Sequence, residues 1–252
     1  MSEKEKSSYH LSMKISLLTL GLCIIVSTAS ATDEGVRLRN YSGGDASPTD
    51  VILPPRTDFN GDGKSDIIWQ DSSTGGRSIW LMNGTVRASI VNLPPVAIEW
   101  DIAGVGDFNS DGKPDIIWQD SSTGGRSIWL MHGMVRASIV NLPPVAIEWD
   151  IVGVGDFNGD LNQDILWQNS STGQRSIWLM HGTMYSSSVN LPTVPIQWDF
   201  VGVGDFNGDG KQDILLQNSM TGQRQIWLMN GTVRTSSVNL PTVPIEWDIR
   251  NH

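Results

Sequence analysis

The chain has 252 residues, 39% of them apolar and 17% charged, with 26 glycines, a single cysteine and a formal net charge of −10. That acidic balance argues against nucleic acid and anionic lipid as partners and suits a protein that stores carboxylates for a cation. One cysteine excludes a disulfide scaffold, and the composition fits one β-rich globular domain.

Residues 1–31 read as an export signal. Lys4, Lys6 and Lys14 lie in a polar stretch, an apolar run follows from Ile15 to Val26, and Ala29-Ser30-Ala31 offers the small residues of a cleavage site. The run is well short of the roughly 20 residues of a membrane span, so no membrane insertion is expected once the signal is removed. The mature chain is expected to begin near Thr32 and to be secreted, into an extracellular or periplasmic space. Cys23 leaves with the signal, the acidic total falls from 27 to 25 and the basic total from 17 to 14, and the net charge becomes about −11. Residues 32–50, with Ser42-Gly43-Gly44, read as a flexible lead-in.

The remainder, residues 51–252, is a repeat. "DFNGDGKSD" begins at Asp58, "DFNSDGKPD" at Asp107, "DFNGDLNQD" at Asp156 and "DFNGDGKQD" at Asp205, each 49 residues after the last. Each unit breaks at turn signals into four strand-like runs, which in the second unit are "EWDIAGVGDF", "DIIWQ", "RSIWLM" and "MVRASIVNL". The two middle runs are apolar on both alternating faces and are expected to be covered on both sides. The last run alternates, as an edge strand with one wet face does. The first run carries Gly104 and Gly106, where a tapering blade crowds its inner strand. Asn83-Gly84, His132-Gly133, His181-Gly182 and Asn230-Gly231 are two-residue hairpin signals. Outside the signal no run has helical spacing. The expected fold is an all-β propeller of four-stranded, 49-residue blades, four in number.

The two ends bear on how the array closes. The first unit lacks its own opening strand, while Trp247, Asp248 and Ile249 match Trp100, Asp101 and Ile102. The C-terminus is therefore expected to supply the missing strand and close a four-blade ring; an open stack, or a dimer that forms a larger ring, is the alternative.

The nine-residue loops have the donor spacing a hard cation requires. Calcium takes six to eight oxygens at about 2.3–2.6 Å from a tightly turned backbone. In the first loop Asp58, Asn60 and Asp62 stand at alternate positions, Asp66 is ninth, and Gly63 at the sixth position permits the positive φ that turns the chain back over the ion. An EF-hand is excluded, because its twelfth position is a bidentate Glu between helices and here that position is Trp69 in a strand. Turns rich in Asp and Asn that hold no metal are the alternative reading.

This arrangement resembles the FG-GAP and VCBS repeat families, including the integrin α-subunit propeller, whose loops read D-x-[DN]-x-[DN]-G-x-x-D between adjacent strands of a blade. The resemblance spans residues 58–249. It implies Ca2+ at four sites: Asp58, Asn60, Asp62 and Asp66; Asp107, Asn109, Asp111 and Asp115; Asp156, Asn158, Asp160 and Asp164; Asp205, Asn207, Asp209 and Asp213. In the third loop Leu161 replaces the turn glycine, at a cost of about 1 kcal/mol, so that site is expected to be the weakest.

The other recurring residues are read as structural. Trp80, Trp129, Trp178 and Trp227 are expected to pack within blades, with sugar stacking as the alternative; Trp100, Trp149, Trp198 and Trp247 are better placed for ligand contact, although packing is favoured there too. Arg77, Arg126, Arg175 and Arg224 are expected to be solvated strand ends or partners of nearby carboxylates, with a cationic rim as the alternative. No Ser/His/Asp set or histidine cluster marks a catalytic centre, and near-identical units do not supply the asymmetric constellation catalysis needs, so no enzymatic activity is expected. The family resemblance implies an adhesion or ligand-binding module for an extracellular protein or glycan. A lectin-like sugar binder, or a propeller accessory to a polysaccharide-active enzyme, is the alternative.

Overall fold

A computed structural model describes residues 57–245 in full, together with the backbone of residues 37–39 and 50–52. The chain divides into two compact units, residues 1–53 and 54–252. In the first, strands β1 (Arg37–Arg39) and β2 (Asp50–Ile52) pair antiparallel, with Leu38 opposite Val51. β1 falls within the lead-in read from composition, and β2 straddles its boundary at residue 50.

The second unit is a β-propeller of four successive antiparallel blades. The first blade has three strands, β3 (Ile67–Gln70), β4 (Arg77–Asn83) and β5 (Val86–Asn92). The second has four, β6 (Trp100–Gly106), β7 (Asp115–Asp120), β8 (Arg126–His132) and β9 (Val135–Asn141). The third runs through β10 (Trp149–Gly155), β11 (Asp164–Asn169), β12 (Arg175–His181) and β13 (Met184–Leu191). The fourth comprises β14 (Trp198–Gly204), β15 (Asp213–Asn218), β16 (Arg224–Asn230) and β17 (Val233–Leu240). No helix occurs among the described residues. The segment expected to close the ring, residues 247–249, lies outside them.

The hydrophobic core lies between blades rather than inside any one of them. Successive residues of a strand face opposite sides of the sheet, so Ile116 and Trp118 join Phe59 and Ile79 in the first seam, while Ile117 between them joins Ile151 and Trp167 in the second. A third cluster joins Phe157 and Leu166 to Phe200 and Trp227. This is why the middle strands are apolar on both faces.

The inner strand β10 neighbours both β6 and β14, and the three line a channel of about 650 Å³. Glycine is required there: a Cβ at Gly104 would lie 2.8 Å from Val154 Cγ2, and one at Gly153 only 2.5 Å from Val203 Cγ2. The outer hairpins are shifted by one residue from the sequence expectation. Asn83 pairs with Val86, so the two-residue turn is Gly84-Thr85, and the glycine has φ 61°. The positive φ falls on the first turn residue, where a type II′ turn places its glycine. Asn83, left in the strand, accepts a hydrogen bond from Lys64 Nζ at 2.8 Å.

Candidate metal loops and the seams between blades

Each acidic loop leads into the second strand of a blade, and in the last three blades it descends from the inner strand. Connections one and three of a meander share an end, so the loops and the outer hairpin tips lie on the same side; Lys113 Nζ is 3.2 Å from His132 Nδ1 across that gap.

The loop is wound around its first aspartate. Asp58 Oδ1 accepts the amides of Gly61 and Asp62 at 2.7 and 3.1 Å, and Oδ2 accepts that of Gly63 at 2.8 Å. Asn60 Oδ1 accepts Asp62 N, and Asp62 Oδ1 accepts Lys64 N. Asp107, Asp156 and Asp205 repeat this pattern toward the sixth-position amides of Gly112, Leu161 and Gly210. Asn109, Asn158 and Asn207 accept from Asp111, Asp160 and Asp209, which accept in turn from Lys113, Asn162 and Lys211. The turn residue has φ 83°, 79°, 70° and 81° in the four loops, so Leu161 adopts the glycine conformation despite its side chain, which is 85% exposed.

The ninth aspartate is set apart from the others. Asp66, Asp115, Asp164 and Asp213 are at most 4% exposed. In each, one oxygen accepts the amide of the second loop residue and the other the amide of the third strand: Phe59 and Met82 for Asp66, Phe108 and Met131 for Asp115, Phe157 and Met180 for Asp164, Phe206 and Met229 for Asp213. This carboxylate ties the loop to the sheet. Burial pushes Asp115 and Asp164 up to about 6, their loop partners' negative charge adds to the rise, and the amide hydrogen bonds oppose it. Asp66 is raised for the same reasons.

Among the described residues, no three acidic, cysteine or histidine side chains converge into a metal cage. The donor set nonetheless suits a hard cation. It consists of oxygens alone, the turn is already formed, and although Asp58 Oδ1 accepts two amides, Asp58 Oδ2 and both oxygens of Asp66 each accept one and keep a second lone pair. Asn60, Asp62 and their counterparts lie exposed at the tips, the ninth aspartates are buried at the base, and the first aspartate ranges from buried at Asp58 through half-buried at Asp107 and Asp156 to exposed at Asp205.

At the opposite end, the arginines are buried and not solvated strand ends, and Arg77, Arg126 and Arg175 bolt the seams. Arg77, Arg126, Arg175 and Arg224 are 1–6% exposed. Arg77 Nη2 donates to the Trp100 carbonyl of the next blade, and its guanidinium lies 5.5 Å from the Trp118 ring centre. Arg126 reaches Trp149 O and the Trp167 ring, and Arg175 reaches Trp198 O and the Phe200 ring. A glutamine completes each seam: Gln119 Nε2 donates to Asp150 Oδ1 at 2.7 Å, and its Oε1 accepts Ile151 N at 2.8 Å. Gln70 and Gln168 do the same to the Asp101–Ile102 and Asp199–Phe200 pairs. The recurring Trp-Asp pair is thus the docking point of the preceding blade. Trp100, Trp149 and Trp198 are half-buried against the seam clusters, while Arg87, Arg136 and Arg234 cover the rings of Trp80, Trp129 and Trp227 and Tyr185 covers Trp178. Packing, not an open sugar platform, accounts for these tryptophans. Sequence reasoning missed the arginine and glutamine because their partners lie in another blade; their recurrence at fixed distance from the Trp-Asp pair was the available signal.

The fold and the loops together define a repeat β-propeller with acidic turn loops. A family model described as FG-GAP-like repeat matches residues 58–118 and 156–216 of the chain. No curated protein sequence matches the chain significantly. Among solved structures it is similar to BBS1N crystallised with ARL6DN and soaked with mercury, at 15% identity and TM-score 0.40 over 75% of this chain and 55% of that one. The same complex soaked with lead gives 17% identity and TM-score 0.39 over 82% and 60%. The Tc holotoxin pore of Photorhabdus luminescens gives 14% identity and TM-score 0.42 over 81% and 12%. This chain spans less than two thirds of each of those chains.

Proposed function

We propose that the protein is an exported, calcium-binding propeller that serves as a non-enzymatic adhesion or ligand-binding module for an extracellular protein or glycan. The observation that carries this reading is the fourfold recurrence, at one end of the blades, of an oxygen-only loop already wound for a cation. Calcium would supply the positive charge that offsets three carboxylates held within nine residues. The first and ninth aspartates would hold it from the buried side, and the third and fifth positions from the solvent side. Four near-equal loop faces offer several equivalent weak contacts, which gives avidity toward a repetitive ligand.

The test is binding of the purified protein to an array of glycans and extracellular-matrix proteins, once in millimolar calcium and once in chelator. Binding that vanishes with chelator is the expected result. A folded protein that binds nothing in either buffer would remove the ligand-binding reading, and metal-dependent cleavage of a polysaccharide would replace it with an enzymatic one.

A further inference from the structure

Asn-Gly pairs fall at two kinds of place in the propeller. Asn60-Gly61, Asn158-Gly159 and Asn207-Gly208 are the third and fourth residues of acidic loops, whereas Asn83-Gly84 and Asn230-Gly231 stand at hairpin tips. The second loop has Asn109-Ser110 instead. All six asparagines are exposed.

The same contacts surround the pair in each of the three loops. Gly61 N donates to Asp58 Oδ1 at 2.7 Å, and Gly159 N and Gly208 N donate at the same distance to Asp156 Oδ1 and Asp205 Oδ1. The asparagine Oδ1 accepts the amide two residues on, that of Asp62, Asp160 or Asp209, at 2.9 Å in each loop. A Cβ on any of these glycines would meet nothing within 4 Å, so no neighbouring group crowds the peptide bond. The aspartate is placed to take the proton a nucleophilic amide must lose, and the donor to Oδ1 stabilises negative charge as it develops on that oxygen.

We propose that Asn60, Asn158 and Asn207 are sites of spontaneous deamidation promoted by the wound loop. Gly61 N loses its proton and bonds to Asn60 Cγ, the Cγ–Nδ2 bond breaks, and Nδ2 leaves with that proton as ammonia. Water then opens the succinimide at either carbonyl and gives aspartate or isoaspartate. Each conversion adds one negative charge, so the first loop would present carboxylates at residues 58, 60, 62 and 66. The hairpin pairs lack this setting. Asn83 and Asn230 end strands, paired with Val86 and Val233, and their Oδ1 atoms accept Lys64 Nζ and Lys211 Nζ. Closing the five-membered ring there must break the ladder. In the second loop Ser110 has φ 58°, so its backbone follows the glycine path while its side chain crowds the amide.

The purified full chain, incubated with chelator in isotopically labelled water at mildly alkaline pH, is mapped by peptide mass spectrometry for heavy oxygen at each asparagine, native and in denaturant. Chelator makes the outcome independent of the calcium reading. In denaturant all the Asn-Gly pairs are expected to convert at similar rates. In the native protein Asn60, Asn158 and Asn207 are expected to match or exceed that rate and to lead Asn83 and Asn230 by at least about tenfold. Loop rates below the denatured rate, or level with the hairpins, overturn the proposal. Ser110→Gly is expected to raise Asn109 to the rate of the other loops, and no rise overturns it as well. Asp58→Asn keeps an oxygen acceptor for Gly61 N but removes the charge; it is expected to slow Asn60 by about tenfold or more while Asn158 and Asn207 keep their rates. An unchanged Asn60 rate contradicts the part assigned to Asp58.

Discussion

The first two blades share an uninterrupted identical stretch, residues 66–82 and 115–131, yet Trp69 is 45% exposed and Trp118 is 1% exposed. The residues are the same and so is the pairing to the third strand, with Trp69 opposite Ser78 and Trp118 opposite Ser127. Only the neighbours differ. β7 has an inner strand beside it and a preceding blade against its face, and β3 has no inner strand among the described residues. Burial in this propeller therefore belongs to the seam and not to the blade, and a sequence read one unit at a time cannot assign it.

Removing a large side chain from each blade tests that conclusion most strongly. Trp118→Ala is expected to destabilise the protein by about 3–5 kcal/mol through transfer and cavity costs, measured by denaturant unfolding. Trp69 is 45% exposed, so Trp69→Ala is expected to cost clearly less than Trp118→Ala, and a loss of equal size would contradict the seam reading. Next in size is the seam bolt. Arg126→Ala removes a buried charged donor to Trp149 O and is expected to cost about 2–3 kcal/mol, whereas an exposed covering residue such as Arg136 should cost less than about 1 kcal/mol.

The metal loops give a pH-dependent prediction. Asp115 and Asp164 are raised from 3.8 to about 6, chiefly by burial. The folded state therefore binds more protons than the unfolded state between those values. Without metal, this contribution to stability is fully present below about pH 4 and is lost as pH rises through about 6. Calcium competes with those protons, so its stabilising effect should grow over the same interval; melts in chelator and in calcium at pH 4.5 and 7.5 check both signs. The smallest expected effect is at the third loop. Leu161 holds φ 70° where the other loops have glycine, so Leu161→Gly should stabilise the protein by about 1 kcal/mol and bring the calcium response of that loop level with the rest.

Much of the fold is legible in the residues. The 49-residue period, the doubly apolar middle runs and the glycines of the inner strand specify blades, and Gly104 and Gly153 sit where a Cβ would strike the next blade. The loop turn is also legible, from Gly63 and its counterparts. What the sequence left ambiguous depends on contacts between units. Arg77 at a strand end resembles a solvated residue until Trp100 and Trp118 of the next blade enclose it. Asp66 resembles Asp62 by spacing, but only the fold places Met82 N against it and turns a candidate ligand into an anchor as well. The hairpin shift is local: Asn83 and Gly84 both tolerate positive φ, and pairing of Asn83 with Val86 leaves the turn to the glycine.

Calcium titration of chelator-stripped protein by isothermal calorimetry tests the central claim most directly. The account predicts saturable binding at the four loops, with the Leu161 loop weakest, together with a rise in melting temperature. An absence of binding heat, together with a melt indifferent to calcium and chelator, would contradict it and leave the loops as metal-free turns.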